Sequence, residues 1–104
     1  MENKTYYVYI IYNLKREKIY IGFTSDLEKR LKQHNKILPS KNTSFTSINS
    51  GKWFLAYKER LCSLNDVKKR EKWLKSGVGR EFIHQNLNHW LKQAQLVDPP
   101  QADF

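Results

Sequence analysis

Residues 5–12, TYYVYIIY, are β-branched or aromatic throughout and hold no breaker, a pattern that predicts a strand. Both alternation sets are apolar, Tyr6/Val8/Ile10/Tyr12 and Tyr7/Tyr9/Ile11, so cover is expected on both faces. The run 13–17, NLKRE, reads as a polar turn, and KIYIGF at 18–23 reads as the returning strand of a hairpin. A loop centred between Leu14 and Lys15 places Tyr9 directly opposite Tyr20 on one face, with Cβ atoms about 5 Å apart.

Ser25-Asp26-Leu27-Glu28 has the form of a capping box that opens a helix with an acidic first turn. At about 100° per residue, Leu27 and Leu31 mark its buried stripe, His34 falls within that stripe, and Arg30 lies on its edge. Lys29, Lys32 and Gln33 face away. Residues 35–52 carry Pro, Gly, Ser, Thr and Asn without a period and read as a long loop. Its basic, hydroxyl-rich composition suits phosphate contact, and an ordinary connector suits it equally.

WFLAYKER at 53–60 predicts a third strand. Ser63 caps the following helix, SLNDVKKREKWLKS, and Gly77 is placed to end it. Leu64, Val67 and Leu74 define its inner face, into which Glu71 projects. Gly77-Val78-Gly79 reads as a turn before a last helix over 80–95, whose stripe is Ile83, Leu87, Trp90, Leu91 and Ala94. The tail 97–104, VDPPQADF, is expected to be frayed. One α+β domain over 1–96 results, a small three-stranded antiparallel sheet flanked by three or more helices.

Composition narrows what such a domain does. A chain of 104 residues holds one modest core. No apolar run approaches the roughly 18–20 residues of a membrane helix. The opening MENKTYY lacks the layout of a signal peptide, which points to a cytoplasmic location. The single Cys62 excludes an internal disulfide and reads as a small, partly buried filler. The net charge of +9, from 19 Lys+Arg against 10 Asp+Glu, favours a polyanionic partner, of which nucleic acid is the commonest.

Glu71 is the most informative residue. A carboxylate on an apolar helix face needs a cation, hydrogen bonds or a metal. It is either paired with Arg30 or a lysine, or a ligand for a divalent ion such as Mg²⁺. Tyrosines in strands mostly pack the sheet, and a histidine on a partly apolar face is commonly a satisfied core residue. His84 and His89 do not share a helix face and carry no assigned role. Jointly, two phenols, a guanidinium, an imidazole and a carboxylate in a strongly basic protein suit phosphodiester hydrolysis. A metal on Glu71 polarises the phosphate, Arg30 offsets transition-state charge, and nearby cations lower a tyrosine pKa until it can accept a proton from water.

Tyr7-Val8-Tyr9, Tyr20-Ile21-Gly22, Arg30 eight residues later, His34 one turn on, and Glu71 within KKREKWLK together resemble the GIY-YIG nuclease superfamily. The resemblance spans roughly residues 6–83. It is strongest to small stand-alone members related to the nuclease domain of the bacterial excision-repair incision subunit. It implies a metal-dependent DNA endonuclease, with DNA repair as its setting and branched or damaged DNA among its substrates. A single Mg²⁺ or Mn²⁺ ion would be held by Glu71, with Tyr9 and Tyr20 at the scissile phosphate and Tyr9 as general base. Arg30 would stabilise the phosphate and His34 assist proton transfer. Tyr7 stands where the first motif has glycine. A late asparagine contributes in many relatives, and Asn86, with Asn88 behind it, is the candidate. Relatives commonly gain specificity from an appended domain or protein partner, which leaves a non-catalytic nucleic-acid-binding module as the rival reading.

Overall fold

The computed structural model describes residues 4–36 and 51–94. Its elements in chain order are β1 (Tyr6–Asn13), β2 (Lys18–Thr24), α1 (Leu27–His34), β3 (Trp53–Leu61), α2 (Leu64–Leu74) and α3 (Gly77–Gln93). The strands form one antiparallel sheet in the order β2-β1-β3, so the doubly apolar strand is the central one. Val8, Tyr9, Ile10 and Ile11 are each fully buried, as the two apolar alternation sets require. The predicted three-stranded α+β architecture is the one observed. The loop expected at 35–52 lies outside the described residues except at its ends, and the tail 97–104 lies wholly outside them.

Each sheet face has its own core. Val8, Ile10 and Ile21 pack with Val67 and Leu74 of α2 and Ile83 of α3. On the opposite face Tyr9, Ile11 and Trp53 pack with Leu27 and Leu31 of α1. Asn35, just beyond α1, locks that helix to the sheet: its amide donates to the Trp53 carbonyl at 3.0 Å and its oxygen accepts from Trp53 N–H at 2.7 Å.

The hairpin register differs from the expected one. Tyr9 lies opposite Gly22, and Tyr20 lies opposite Ile11. The cause is Asn13, which is buried at the end of β1. Its carbonyl accepts from Glu17 N–H at 2.7 Å and its side chain from Arg16 N–H at 3.0 Å. Residues 14–17 therefore form the loop, closed by Glu17 in the left-handed region at φ 55°. The slide is by an even number of residues, so every side chain keeps its face. The phenols become diagonal neighbours, with ring centroids 6.3 Å apart.

Several helix boundaries and faces also depart from expectation. Asp26, not Ser25, caps α1, its carboxylate accepting from Lys29 N–H at 3.1 Å. Gly77 does not end α2, which stops at Leu74. Ser76 caps α3 and Gly77-Val78-Gly79 are its first residues. Gly79 is required by packing: a Cβ there would lie 2.1 Å from the Trp73 carbonyl oxygen and 2.5 Å from Leu74 Cα. The interruption is thus a close approach of two helices, where glycine acts by its small size and not as a breaker. Leu64, read as inward-facing, is 41% exposed, and Cys62 and Ala94 are exposed.

Candidate active site

The face of the sheet beneath α1 gathers four of the expected side chains. The Tyr9 hydroxyl lies 2.7 Å from His34 Nε2, and the Tyr20 ring lies 4.9 Å from the His34 ring. Period-2 alternation puts the phenols on that face, and the α1 stripe lowers His34 onto them. Arg30, one turn earlier and half-buried, interacts with both phenols. Gln33 does not face away; it accepts from Arg30 Nη1 at 3.0 Å and holds the guanidinium in place.

Gly22 makes room for this group. A Cβ at that position would lie 2.8 Å from the Tyr9 hydroxyl oxygen and 2.9 Å from Tyr20 Cε2. Tyr9 therefore extends over the bare backbone of Gly22 to the outer strand. A glycine interrupting an alternating strand is the sequence signal for such an approach.

Protonation follows from burial. Tyr9 has no exposed surface, and burial raises its pKa well above the ordinary phenol value, with Arg30 opposing and Tyr20 and Glu71 adding to the rise. This corrects the expectation that nearby cations lower it: loss of solvent outweighs one guanidinium. His34, 5% exposed, is lowered to about 4 by burial and then by the Arg30 charge. At neutral pH the phenol is protonated and the imidazole neutral, so the 2.7 Å bond joins two uncharged groups. Burial also works against the Arg30 charge, but its contacts with Tyr9 and Tyr20 more than offset this and raise its pKa.

Glu71 arrives from the other side of the sheet, because α2 packs on the Val8/Ile10 face. Its charge still acts on Tyr9, but its bonded partner is Lys75 Nζ at 3.2 Å, one turn along α2. The Glu71 side chain is 21% exposed and that of Lys75 50%, so the pair is open to water and weak. Among the described residues no group of three or more His, Cys, Asp or Glu gathers. A single accessible carboxylate fits a magnesium-type ion, which completes its shell with water and phosphate oxygens. Asn86 is not brought into contact with the tyrosine group; its amide donates to the Phe82 carbonyl at 2.8 Å within α3. Asn88 is exposed. No helix among the described residues is long and apolar enough to cross a membrane.

The family model for the GIY-YIG catalytic domain matches residues 5–86. Among solved structures, the solution NMR structure of a UPF0213 protein from Bacillus halodurans is 25% identical over 78% of this chain and 83% of that one, with a TM-score of 0.45. No curated protein matches the chain. Because the family match covers most of the chain's length, the protein belongs to the GIY-YIG family, a family of nucleases.

Proposed function

We propose that the protein is a divalent-metal-dependent endonuclease that hydrolyses DNA phosphodiester bonds. The observation that carries this reading is the Tyr9–His34 hydrogen bond with Arg30 beside both phenols. Arg30, fixed by Gln33, binds the scissile phosphate and offsets the charge that builds on it. Tyr20, partly exposed, is the phenol on the substrate side. Tyr9 shifts its proton to His34 Nε2 as it accepts one, so the two residues act as a single proton acceptor. Glu71 would hold a Mg²⁺ or Mn²⁺ ion, which would supply Lewis-acid polarisation of the phosphate and stabilisation of the leaving oxygen. Asn86 acts only if its amide leaves the Phe82 carbonyl.

One observation favours a binding module without turnover: the phenol assigned as base is wholly covered and harder to ionise than tyrosine in water. Nicking of supercoiled plasmid with Mg²⁺ or Mn²⁺ separates the readings. Wild type is expected to nick, and Glu71→Ala and Tyr9→Phe to be slower by at least about a hundredfold. Equal nicking by all three removes the nuclease reading, and salt-sensitive DNA binding without cleavage in any metal establishes the rival.

A further inference from the structure

The outer edge of β2 carries a groove of about 260 Å³ lined by Ile19, Tyr20, Ile21, Lys75 and Arg80. Ile19 and Ile21 belong to one face of the strand and Tyr20 to the other, so the groove follows the edge itself, on the side away from β1. One end is the proposed site, since Tyr20 rests on His34. Beyond it stand two cations from the junction of α2 and α3. Lys75 lies between the groove and Glu71, to which it is weakly paired. Arg80 Nε donates to the Lys75 carbonyl at 3.3 Å, which draws the guanidinium to the groove, and no carboxylate among the described residues neutralises it.

We propose that this groove seats the DNA backbone phosphates next to the scissile one, on Lys75 and Arg80. The strand then runs along the β2 edge from Tyr20 toward the start of α3. Lys75 turns from Glu71 to a phosphate oxygen without leaving its position, exchanging one weakly held anion for another. Arg80, with Nε on the Lys75 carbonyl, keeps both Nη groups for its phosphate, which suits bidentate contact. The apolar walls from Ile19 and Ile21 exclude water beneath the backbone and strengthen both ion pairs. The identity of the ligand rests on the nuclease reading; the cationic groove does not.

The test is binding without cleavage: fluorescence anisotropy of a labelled DNA duplex in EDTA across a series of NaCl concentrations. Each lost phosphate contact lowers the slope of log K against log salt by about 0.9, so Lys75→Ala/Arg80→Ala is expected to lower it by about 1.8. The comparison is Lys68→Ala/Lys92→Ala, which removes the same charge from exposed positions outside the groove. A drop in the groove variant no larger than in that comparison overturns the proposal, even where the wild type nicks plasmid. A full drop with no nicking in any metal keeps the groove and removes the nuclease.

Discussion

The Tyr9 hydroxyl and Nε2 of His34 share a hydrogen bond of 2.7 Å across 25 residues of chain, inside a site where both side chains are buried. The bond couples the central strand to the first helix. Burial holds the phenol protonated and the imidazole neutral.

If Tyr9 and His34 act as one proton acceptor, their losses do not add. Tyr9→Phe and His34→Ala are each expected to slow nicking by about 10²-fold or more, and the double variant to be about as slow as the worse single one. Single-turnover nicking rates for the four proteins check this. Multiplying penalties would mean independent roles.

Stability should fall on acidification through the His34 window. The folded value is about 4 and the ordinary value 6.5, so between these the unfolded chain binds the extra proton and folding weakens as pH drops. The slope approaches about 1.4 kcal/mol per pH unit within the window. Urea unfolding at pH 7 and pH 4.5 should show wild type losing more than His34→Gln. Equal losses would show that His34 is not the group responsible.

Gly22→Ala forces a Cβ to within 2.8 Å of the Tyr9 hydroxyl oxygen and 3.0 Å of its Cζ. A destabilisation of about 1–3 kcal/mol is expected, together with loss of nicking. Adding Tyr9→Phe removes the nearer clash, so the pair should be less destabilised than the sum of the singles. Denaturant melts of the four proteins measure the coupling.

The two glycines that open α3 should answer oppositely to alanine. Gly79→Ala meets backbone atoms that cannot step aside and should cost more than about 3 kcal/mol. Gly77 has nothing within 4 Å of a built Cβ, and alanine there should be neutral or stabilise by up to about 1 kcal/mol. Thermal unfolding of both variants distinguishes close packing from chain reversal as the reason for the glycines.

Arg70 should matter for stability and not for cleavage. Its guanidinium grips Glu59 through Nε at 3.0 Å and Nη2 at 2.8 Å, and stacks 4.5 Å from the Trp73 ring. Arg70→Lys loses the fork and the stacking, at a cost of about 1–2 kcal/mol, with nicking within about twofold of wild type. A larger loss of rate in fully folded protein would bring Arg70 into the site.

Periodicity by itself determined which side chains share a face in the strands and for most helix positions, Gln33, Leu64 and Ala94 excepted. Alternation of period 2 put Tyr9 and Tyr20 together and buried β1 twice over, and the 3.6-residue period put His34 in the inward stripe of α1 with Arg30 at its edge. Ser63 marked the start of α2 correctly because a cap is a local interaction. Tertiary structure alone decided displacements and depth. Alternation cannot detect a slide by two residues, so the position of Gly22 under Tyr9 waited on how buried Asn13 closed the turn. Helical angles located Glu71 on its helix but not the sheet face that helix would cover. The sign of the Tyr9 shift depended on the balance between burial and one guanidinium, which exists only once the chain has closed around both.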